Sequence, residues 1–368
     1  MGIVLEKMLK ILTIVGARPQ FVKAAALSRE FKKYSEIKEV IIHTGQHFDE
    51  NMSSIFFSEM EIPAPAYNLN INGLGHGAMT GQMLEGIEKI IITEKPDFVL
   101  VYGDTNSTIA GALAAKKLHV KVIHVEAGLR SFNMQMPEEI NRILTDRISD
   151  FLFCPTDTAV QNLKNEGYDN IKATILKCGD VMEDTARYYA IKSDSKSTIM
   201  SHLNLANIPF ILGTIHRAEN TDNPENLRNI VQALNQINEH TKVVVPIHPR
   251  TKQIIENNQL ATHFTITEPL GYFDMITLLK NCSMVITDSG GLQKEAFFFR
   301  KYCITMREQT EWVELVTNGY NFIASTNLDT IFSHYQKLIN QNFPPALNLY
   351  GDGGACKSIC DAIINLNK

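Results

Sequence analysis

Acidic side chains follow three apolar segments in the first half of the chain, at the point where each segment gives way to polar sequence. Asp104 stands in YGDTNST, Glu126 in HVEAGLRS, and both Glu138 and Glu139 in MPEEINR. Carboxylates that are held close to one substrate are suited to moving protons as general acids and bases. The sequence therefore makes Asp104, Glu126, Glu138 and Glu139 candidates for acid/base catalysis.

Two of these carboxylates also have a simpler structural explanation. Asp104 fits a helix N-cap, because the letters DTNST begin a helical pattern. Glu138 fits the first turn of a helix that starts at Pro137, where the helix dipole favours acids. Glu126 differs from both, since a carboxylate between an apolar segment and a glycine has no evident capping role.

Basic residues follow the first apolar segment, KILTIVG. Arg18 lies in the turn GARPQ, and Lys23 lies one turn into the helical pattern that follows. Because a helix N-terminus already favours an anion, Arg18 and Lys23 are predicted to contact an anionic part of the ligand. The alternative is a surface arginine at an ordinary turn. No G-x-G-x-x-G fingerprint follows any predicted strand, which disfavours a nicotinamide-dependent oxidoreductase.

Imidazole, guanidinium and glycine groups recur at segment ends in the second half. PFILGTIHR ends in His216 and Arg217, and KVVVPIHPR contains His248. A Ser-Gly-Gly turn then opens a helical pattern, and small residues there let phosphate approach backbone amides. That turn alone is also explained as a plain glycine turn. Taken together, the pattern predicts a nucleoside diphosphate site formed by His216, Arg217, His248, Ser289, Gly290, Gly291 and Glu295.

The scaffold must bring these segment ends together. Short apolar runs alternate with longer amphipathic stretches, which predicts parallel strands, crossover helices and ligand binding beyond the strand ends. We expect an α/β fold of two doubly wound, Rossmann-like domains, 1–185 and 186–345, with a cleft between them. The predicted strand segments are 10–16, 39–45, 97–104, 121–128 and 150–156, then 209–217, 242–250, 283–291 and 302–308.

The overall composition argues against several classes of protein. A chain of 368 residues with 44% hydrophobic residues favours two globular domains, and a formal net charge of −5 gives no basis for binding nucleic acid or a membrane. Residues 1–7 are expected to be a short extension before a buried strand. Six mostly isolated cysteines favour reduced thiols in the cytoplasm. His43 and His47 lack convincing metal-ligand spacing, so we expect no metal and no other cofactor.

Eight segments together resemble the non-hydrolysing UDP-N-acetylglucosamine 2-epimerase family. They are GARPQFVK, YGDTNST, HVEAGLRS, PEEINR, TIHRAEN, IHPR, TDSGGLQKEA and MREQTEW, in this order over residues 9–360. The resemblance implies a fold like that of the B-type glycosyltransferases, a UDP-sugar substrate and a homodimer. It also implies that the last segment, 346–368, crosses back to the first domain.

The resemblance further implies a mechanism. The C2 proton is removed while UDP leaves C1, and the resulting 2-acetamidoglucal is re-protonated on its other face before UDP adds back. By position in the shared motifs, the resemblance assigns catalysis to Asp104, Glu126, Glu138 and His216, contact with diphosphate and sugar to Arg18 and Lys23, the phosphate-binding turn to Ser289, Gly290 and Gly291, and the ribose to Glu295.

Two features differ from the usual UDP-N-acetylglucosamine enzymes. The loop GLRSFNMQM is shorter, and Trp312 stands where an arginine is common. Both are similar to the subgroup that acts on UDP-2,3-diacetamido-2,3-dideoxyglucuronate, a precursor for surface polysaccharides, and they favour that substrate over UDP-N-acetylglucosamine. The alternatives are a glycosyltransferase of the same fold, a hydrolysing 2-epimerase and a sugar-nucleotide sensor without turnover.

Overall fold

The computed structural model describes residues 8–46, 60–345 and 347–366. The expected extension at 1–7 and the residue His47 lie outside this part of the chain. Two compact units are present. The first comprises Met1–Thr185 together with Asn348–Lys368, and the second comprises Ala186–Leu347.

The first unit is built on a seven-stranded parallel sheet. Its strands are β1 (Leu9–Val15), β2 (Ile37–His43), β3 (Tyr67–Asn68), β4 (Phe98–Tyr102), β5 (Lys121–Val125), β6 (Phe151–Cys154) and β7 (Thr174–Lys177). Their order is β3-β2-β1-β4-β5-β6-β7, so the direction of strand addition reverses between β1 and β4. Because ligands of open α/β sheets bind beyond the strand ends at such a reversal, the residues after β1, β4 and β5 occupy the expected binding edge.

The helices of the first unit connect these strands. They are α1 (Arg18–Phe31), α2 (His76–Glu94), α3 (Asn106–Lys117), α4 (Pro137–Ile148), α5 (Asp157–Asn165) and the start of α6 (Val181–Lys196), with a 3-10 turn at Tyr168–Asn170. A C-terminal helix, Ala355–Asn365, packs against α1. Asp184 on α6 stabilises the start of this C-terminal helix, since its carboxylate accepts hydrogen bonds from the amides of Ala355 and Cys356 at 3.2 and 2.8 Å.

The second unit repeats the plan with a six-stranded parallel sheet, ordered β10-β9-β8-β11-β12-β13. The reversal lies between β8 and β11. The strands are β8 (Phe210–Thr214), β9 (Lys242–Pro246), β10 (Thr265–Thr267), β11 (Met284–Thr287), β12 (Tyr302–Thr305) and β13 (Asn321–Ile323). The helices are α7 (Ile199–His202), α8 (Ala218–Thr221), α9 (Pro224–Asn238), α10 (Pro249–Asn257), α11 (Tyr272–Asn281), α12 (Gly290–Phe298), α13 (Val313–Thr317) and α14 (Leu328–Leu338).

The predicted α/β fold class is confirmed, and each predicted strand segment overlaps a strand. The strands β3, β7, β10 and β13, which are the outermost strands of the two sheets, were not predicted. These edge strands span four residues or fewer and are not fully buried. They therefore lack the continuous apolar run by which a central parallel strand is recognised.

Two further properties concern the described residues as a whole. Among them, no helix combines the length and the apolar character that crossing a membrane requires. Residues 8–46, 60–345 and 347–366 also contain no group of three or more His, Cys, Asp or Glu side chains arranged to hold a metal ion.

Candidate active site

A buried ion pair joins Lys23 to Glu126 at the C-terminal edge of the first sheet. Lys23 projects from α1 and Glu126 directly follows β5, and the two side chains are only 8% and 7% exposed. The backbone of Glu126 has φ 73°, which is uncommon for a residue with a side chain. Such outliers cluster at functional positions, so the geometry agrees with a functional role for this carboxylate.

Gly103, in the turn after β4, packs directly against this ion pair. Its φ is 61°, and a Cβ added here would lie 3.2 Å from both Glu126 Oε2 and Lys23 Nζ. Any larger residue would therefore adopt an unfavourable backbone conformation and press on the pair. Glycine at this position keeps Lys23 and Glu126 in contact.

Asp104 is held by α4. One nitrogen of the Arg142 guanidinium bonds the Asp104 carboxylate, and the other donates to Glu139 Oε2 at 2.8 Å. Asn141 Nδ2 also donates to the backbone carbonyl of Asp104 at 2.9 Å. The Asp104 side chain remains 30% exposed. Arg142 thus fixes the direction of a carboxylate that a ligand can still reach.

The N-cap of α3 is Thr105, whose hydroxyl accepts a hydrogen bond from the amide of Thr108 at 3.3 Å. The capping explanation for Asp104 is therefore wrong by one residue. Because Thr105 already caps the helix, the carboxylate of Asp104 is not needed for helix initiation.

The two adjacent glutamates at the start of α4 have different environments. Glu139 is fully buried and accepts hydrogen bonds from the amides of Ser131 and Phe132 at 2.8 to 3.1 Å. Glu138 is exposed, and within the described part of the chain no group forms a hydrogen bond or ion pair with its carboxylate. Glu139 therefore holds the loop after β5, whereas Glu138 is accessible to a ligand.

Arg18 is the first residue of α1 and is partly exposed. The amides of Gly16 and Ala17 just before it donate to Gln20 Oε1 at 2.8 and 3.1 Å. These two amides are therefore already paired within the turn. The predicted contact of Arg18 with an anion stays a prediction.

Asp288, the residue after β11, organises the polar groups of the second unit. It is fully buried, and its carboxylate accepts hydrogen bonds from the amides of His216 and Arg217, each at 3.0 Å. It also contacts His216 Nδ1 at 2.8 Å. Burial raises the pKa of Asp288, but the contacts with His216 and the backbone amides outweigh it, so the pKa lies below its ordinary value.

His216 is oriented by that anion. Its side chain is 52% exposed, and Nδ1 faces Asp288, so Nε2 is turned away from the carboxylate. The side chain of Arg217 is fixed beside it, since Nε donates to the backbone carbonyl of Asp288 at 3.1 Å. An imidazole that is held by an acid through one nitrogen and keeps its other nitrogen accessible is suited to proton transfer or charge stabilisation.

The Ser-Gly-Gly turn begins α12 next to Asp288. Ser289 is its N-cap, with Oγ 3.5 Å from the amide of Leu292. Trp312 supports the turn, because its Nε1 donates to the carbonyl of Gly290 at 2.9 Å. The structure thus brings His216, Arg217 and the turn Ser289–Gly291 together around one buried carboxylate.

The UDP-N-acetylglucosamine 2-epimerase family model matches residues 29–364. The chain belongs to this family. It is accordingly an isomerase, a sugar-nucleotide 2-epimerase with the two-sheet fold of B-type glycosyltransferases.

Individual relatives extend this result. A UDP-2,3-diacetamido-2,3-dideoxy-D-glucuronate 2-epimerase from Pseudomonas aeruginosa is 53% identical over 97% of this chain and 100% of its own. A UDP-N-acetylglucosamine 2-epimerase homolog from Methanococcus maripaludis is 50% identical over the same shares. The crystal structure of the Methanocaldococcus jannaschii UDP-GlcNAc 2-epimerase, in complex with UDP-GlcNAc and UDP, superposes with a TM-score of 0.90 at 39% identity, covering 97% of this chain and 100% of that one.

Two predicted ligand contacts of this epimerase lie outside the Asp288 network. His248 is the N-cap of α10, where its Nδ1 accepts from the amide of Arg250 at 3.2 Å, and no described group of that network bonds it. Glu295, on α12, accepts from the hydroxyl of Tyr272 at 3.3 Å. Their roles toward UDP stay predictions.

The supporting residues of the epimerase were not predicted from the sequence. Asp288 directly follows the buried strand β11, and an acid in that position is the same signal that identified Glu126. Glu139 and Arg142 have the three-residue spacing of a helical ion pair, and PEEINR already contains it. That Arg142 also reaches Asp104 depends on how α4 packs, which the sequence does not show.

Proposed function

We propose that this enzyme inverts C2 of UDP-2,3-diacetamido-2,3-dideoxyglucuronate without hydrolysing it. The observation that carries the proposal is the 53% identity, over 97% of the chain, to the Pseudomonas aeruginosa enzyme named for that substrate. Trp312 and the loop GLRSFNMQM, which differ from the usual UDP-N-acetylglucosamine enzymes, point the same way. The competing substrate is UDP-N-acetylglucosamine, which is bound in the Methanocaldococcus jannaschii structure.

The substrate proposal is tested by measuring kcat/KM for both sugars with the same enzyme preparation. We expect UDP-2,3-diacetamido-2,3-dideoxyglucuronate to be favoured by at least about 100-fold, since a site built to pair polar substituents rejects a sugar that lacks them. Preference for UDP-N-acetylglucosamine would overturn the substrate while leaving the epimerase assignment intact.

For the chemistry, we assign proton transfer at C2 to acids of the first unit. Inversion requires proton removal on one face of the sugar and delivery on the other, so at least two groups must act. Glu126, Asp104 and Glu138 are the candidates. Lys23 and Arg18 are assigned to contact the anionic diphosphate and the sugar. When UDP leaves C1, negative charge develops on the departing oxygen.

In the second unit we assign the diphosphate to the turn Ser289–Gly291 and to Arg217. His216, oriented by Asp288, stabilises the charge that develops as UDP leaves C1. Glu295 accepts hydrogen bonds from the ribose, and His248 contributes to UDP binding. The assignments of His216 and Arg217 are supported by their hydrogen bonds to Asp288 and by the exposure of the His216 side chain.

The adjacent pair on α4 provides a matched test of these roles. Glu138→Gln should lower turnover by about 10²- to 10⁴-fold while the melting temperature stays near that of the wild type. Glu139→Gln should lower the melting temperature, because Glu139 is buried and pairs with Arg142. Wild-type turnover in Glu138→Gln, measured by NMR at C2, would remove that residue from the mechanism.

We also propose that the enzyme is a cytoplasmic homodimer. Oligomerisation is what the family resemblance implies, and the six cysteines are free thiols, as a reducing compartment requires. Light scattering of the purified protein and fractionation of the source cells test the two statements. A monomer at micromolar concentration, or recovery outside the cytoplasm, would contradict them.

A further inference from the structure

The buried imidazole of His124 contacts two acceptors. This residue lies on β5, two positions before Glu126, and its side chain is 0% exposed. Nδ1 is 2.7 Å from Asp146 Oδ1 and Nε2 is 2.8 Å from the backbone carbonyl of Gly103. A carbonyl oxygen and an ionised carboxylate can only accept hydrogen bonds, so both ring nitrogens must donate. The geometry therefore requires an imidazolium if Asp146 is ionised.

Asp146 on α4 has the surroundings of an anion. Its second oxygen accepts from Arg130 at 2.7 Å and from the amide of Gly128 at 3.1 Å. Burial raises the pKa of Asp146, yet His124 and Arg130 outweigh it and hold the pKa below its ordinary value. Both partners of the second oxygen are donors, so a proton on Asp146 could lie only on Oδ1, directed at His124 Nδ1. The two donors on the second oxygen favour the ionised carboxylate.

The remaining groups around this cluster balance its charge. Glu166, after α5, accepts two hydrogen bonds from Arg130 at 2.6 and 2.8 Å. With an imidazolium at His124, the cluster holds two cations, His124 and Arg130, and two anions, Asp146 and Glu166. Burial raises the pKa values of the Cys154 thiol and the Tyr168 phenol, so both remain neutral. A buried cluster that is neutral overall and fully hydrogen-bonded can retain a charged imidazole.

The contact of His124 with Gly103 links this cluster to the catalytic edge. The bonded carbonyl belongs to the peptide that joins Gly103 to Asp104. A Cβ added at Gly103 would lie 3.2 Å from both Glu126 Oε2 and Lys23 Nζ, so this residue borders the ion pair. A shift of this peptide would therefore move Asp104 and change the packing beside Glu126 and Lys23.

We propose that His124 is held as an imidazolium by Asp146 and acts as a positioning residue, fixing the Gly103–Asp104 peptide and with it the carboxylates of Asp104 and Glu126. The proposal rests on the roles that the proposed function gives to those two acids. It adds a residue that contacts no substrate and acts only through the turn after β4.

The protonation state is tested by nitrogen NMR of the full chain labelled with 15N-histidine. The two His124 resonances, assigned by their loss in His124→Gln, should both show an attached proton, whereas a neutral imidazole carries a proton on only one of its two nitrogens. A His124 nitrogen without an attached proton would overturn the proposal. This readout needs no turnover, so it is independent of the proposed function.

The positioning role is tested by kinetics. His124→Gln should lower kcat by about 10- to 100-fold, the size of loss that follows removal of a supporting residue. The Kd for UDP should change little, because the proposal gives His124 no contact with the ligand. The control is Ser149→Ala, which removes a buried hydrogen bond to the carbonyl of Thr145 at the end of α4 without touching the cluster. Wild-type kcat in folded His124→Gln, or an equal loss in Ser149→Ala, would overturn the role.

Discussion

The two units each contain an Asp–His pair, and the pairs differ in exposure. His124 and Asp146 in the first unit are 2.7 Å apart and both side chains are 0% exposed. His216 and Asp288 in the second unit are 2.8 Å apart, but the imidazole is 52% exposed. The first pair uses both ring nitrogens within the protein, whereas the second directs one nitrogen away from its acid. Under the proposed roles, similar pair geometry serves positioning in one unit and chemistry in the other.

The largest expected difference between the pairs is in turnover. His216→Gln should lower kcat by about 10²- to 10⁴-fold, because the proposed mechanism places this imidazole at the charge that develops as UDP leaves. Its melting temperature should change little, since the side chain is half exposed. The measurement is kcat by NMR at C2 alongside thermal unfolding, with His124→Gln in parallel. A smaller loss in His216→Gln than in His124→Gln would reverse the distinction.

An intermediate effect is expected at the glycine on which the first pair acts. Gly103→Ala should lower kcat by about 10-fold and stability by about 1–3 kcal/mol, because the added Cβ presses on the Lys23–Glu126 pair. Gly167→Ala is the matched control, since its φ of 81° is also positive but no atom lies within 4 Å of the added Cβ. Equal kcat in the two variants would show that backbone conformation alone, and not contact with the ion pair, matters at this turn.

The smallest effect concerns acid sensitivity, in which the two pairs should agree. The pKa values of Asp146 and Asp288 are lower in the folded chain than in the unfolded chain. Each carboxylate therefore stabilises the fold above the unfolded pKa of about 4, and that contribution is lost as pH falls through the folded pKa. Asp146→Asn and Asp288→Asn should each lower the melting temperature at neutral pH, with the difference from wild type shrinking in acid.

The control for this effect is Asp157→Asn, in an exposed ion pair with Lys177 at 2.6 Å. Exposed pairs contribute little, so its melting temperature should follow the wild type at every pH. A difference between Asp146→Asn and wild type that grows as pH falls would contradict the sign of the predicted linkage.

The sequence predicted central strands well because each is buried on both faces and forms a continuous apolar run, as in FVLVY of β4. It also located the polar residues at the strand ends, since parallel strands place those ends together. It did not predict that Glu139 is buried while Glu138 is exposed, because both letters fit a first helical turn equally well. That difference depends on the packing of α4 against the loop at Ser131 and Phe132.

Supporting contacts were harder to predict than strand ends for the same reason. His124 is one polar letter in an apolar strand, and its partners Asp146 and Gly103 lie 22 and 21 residues away in sequence. Only the strand order and the position of α4 bring them together. Long-range polar networks therefore need the fold, whereas candidates for ligand contact can be proposed from the pattern of strand ends.

The central claim is that C2 is inverted through exchange of its proton while UDP is retained overall. The most direct test incubates the wild-type enzyme in deuterated water with UDP-2,3-diacetamido-2,3-dideoxyglucuronate and follows C2 and UDP by NMR. The account predicts deuterium at C2 in the manno product, with no net accumulation of UDP. Epimerised product that retains its original hydrogen at C2, or release of free sugar with one equivalent of UDP, would contradict it.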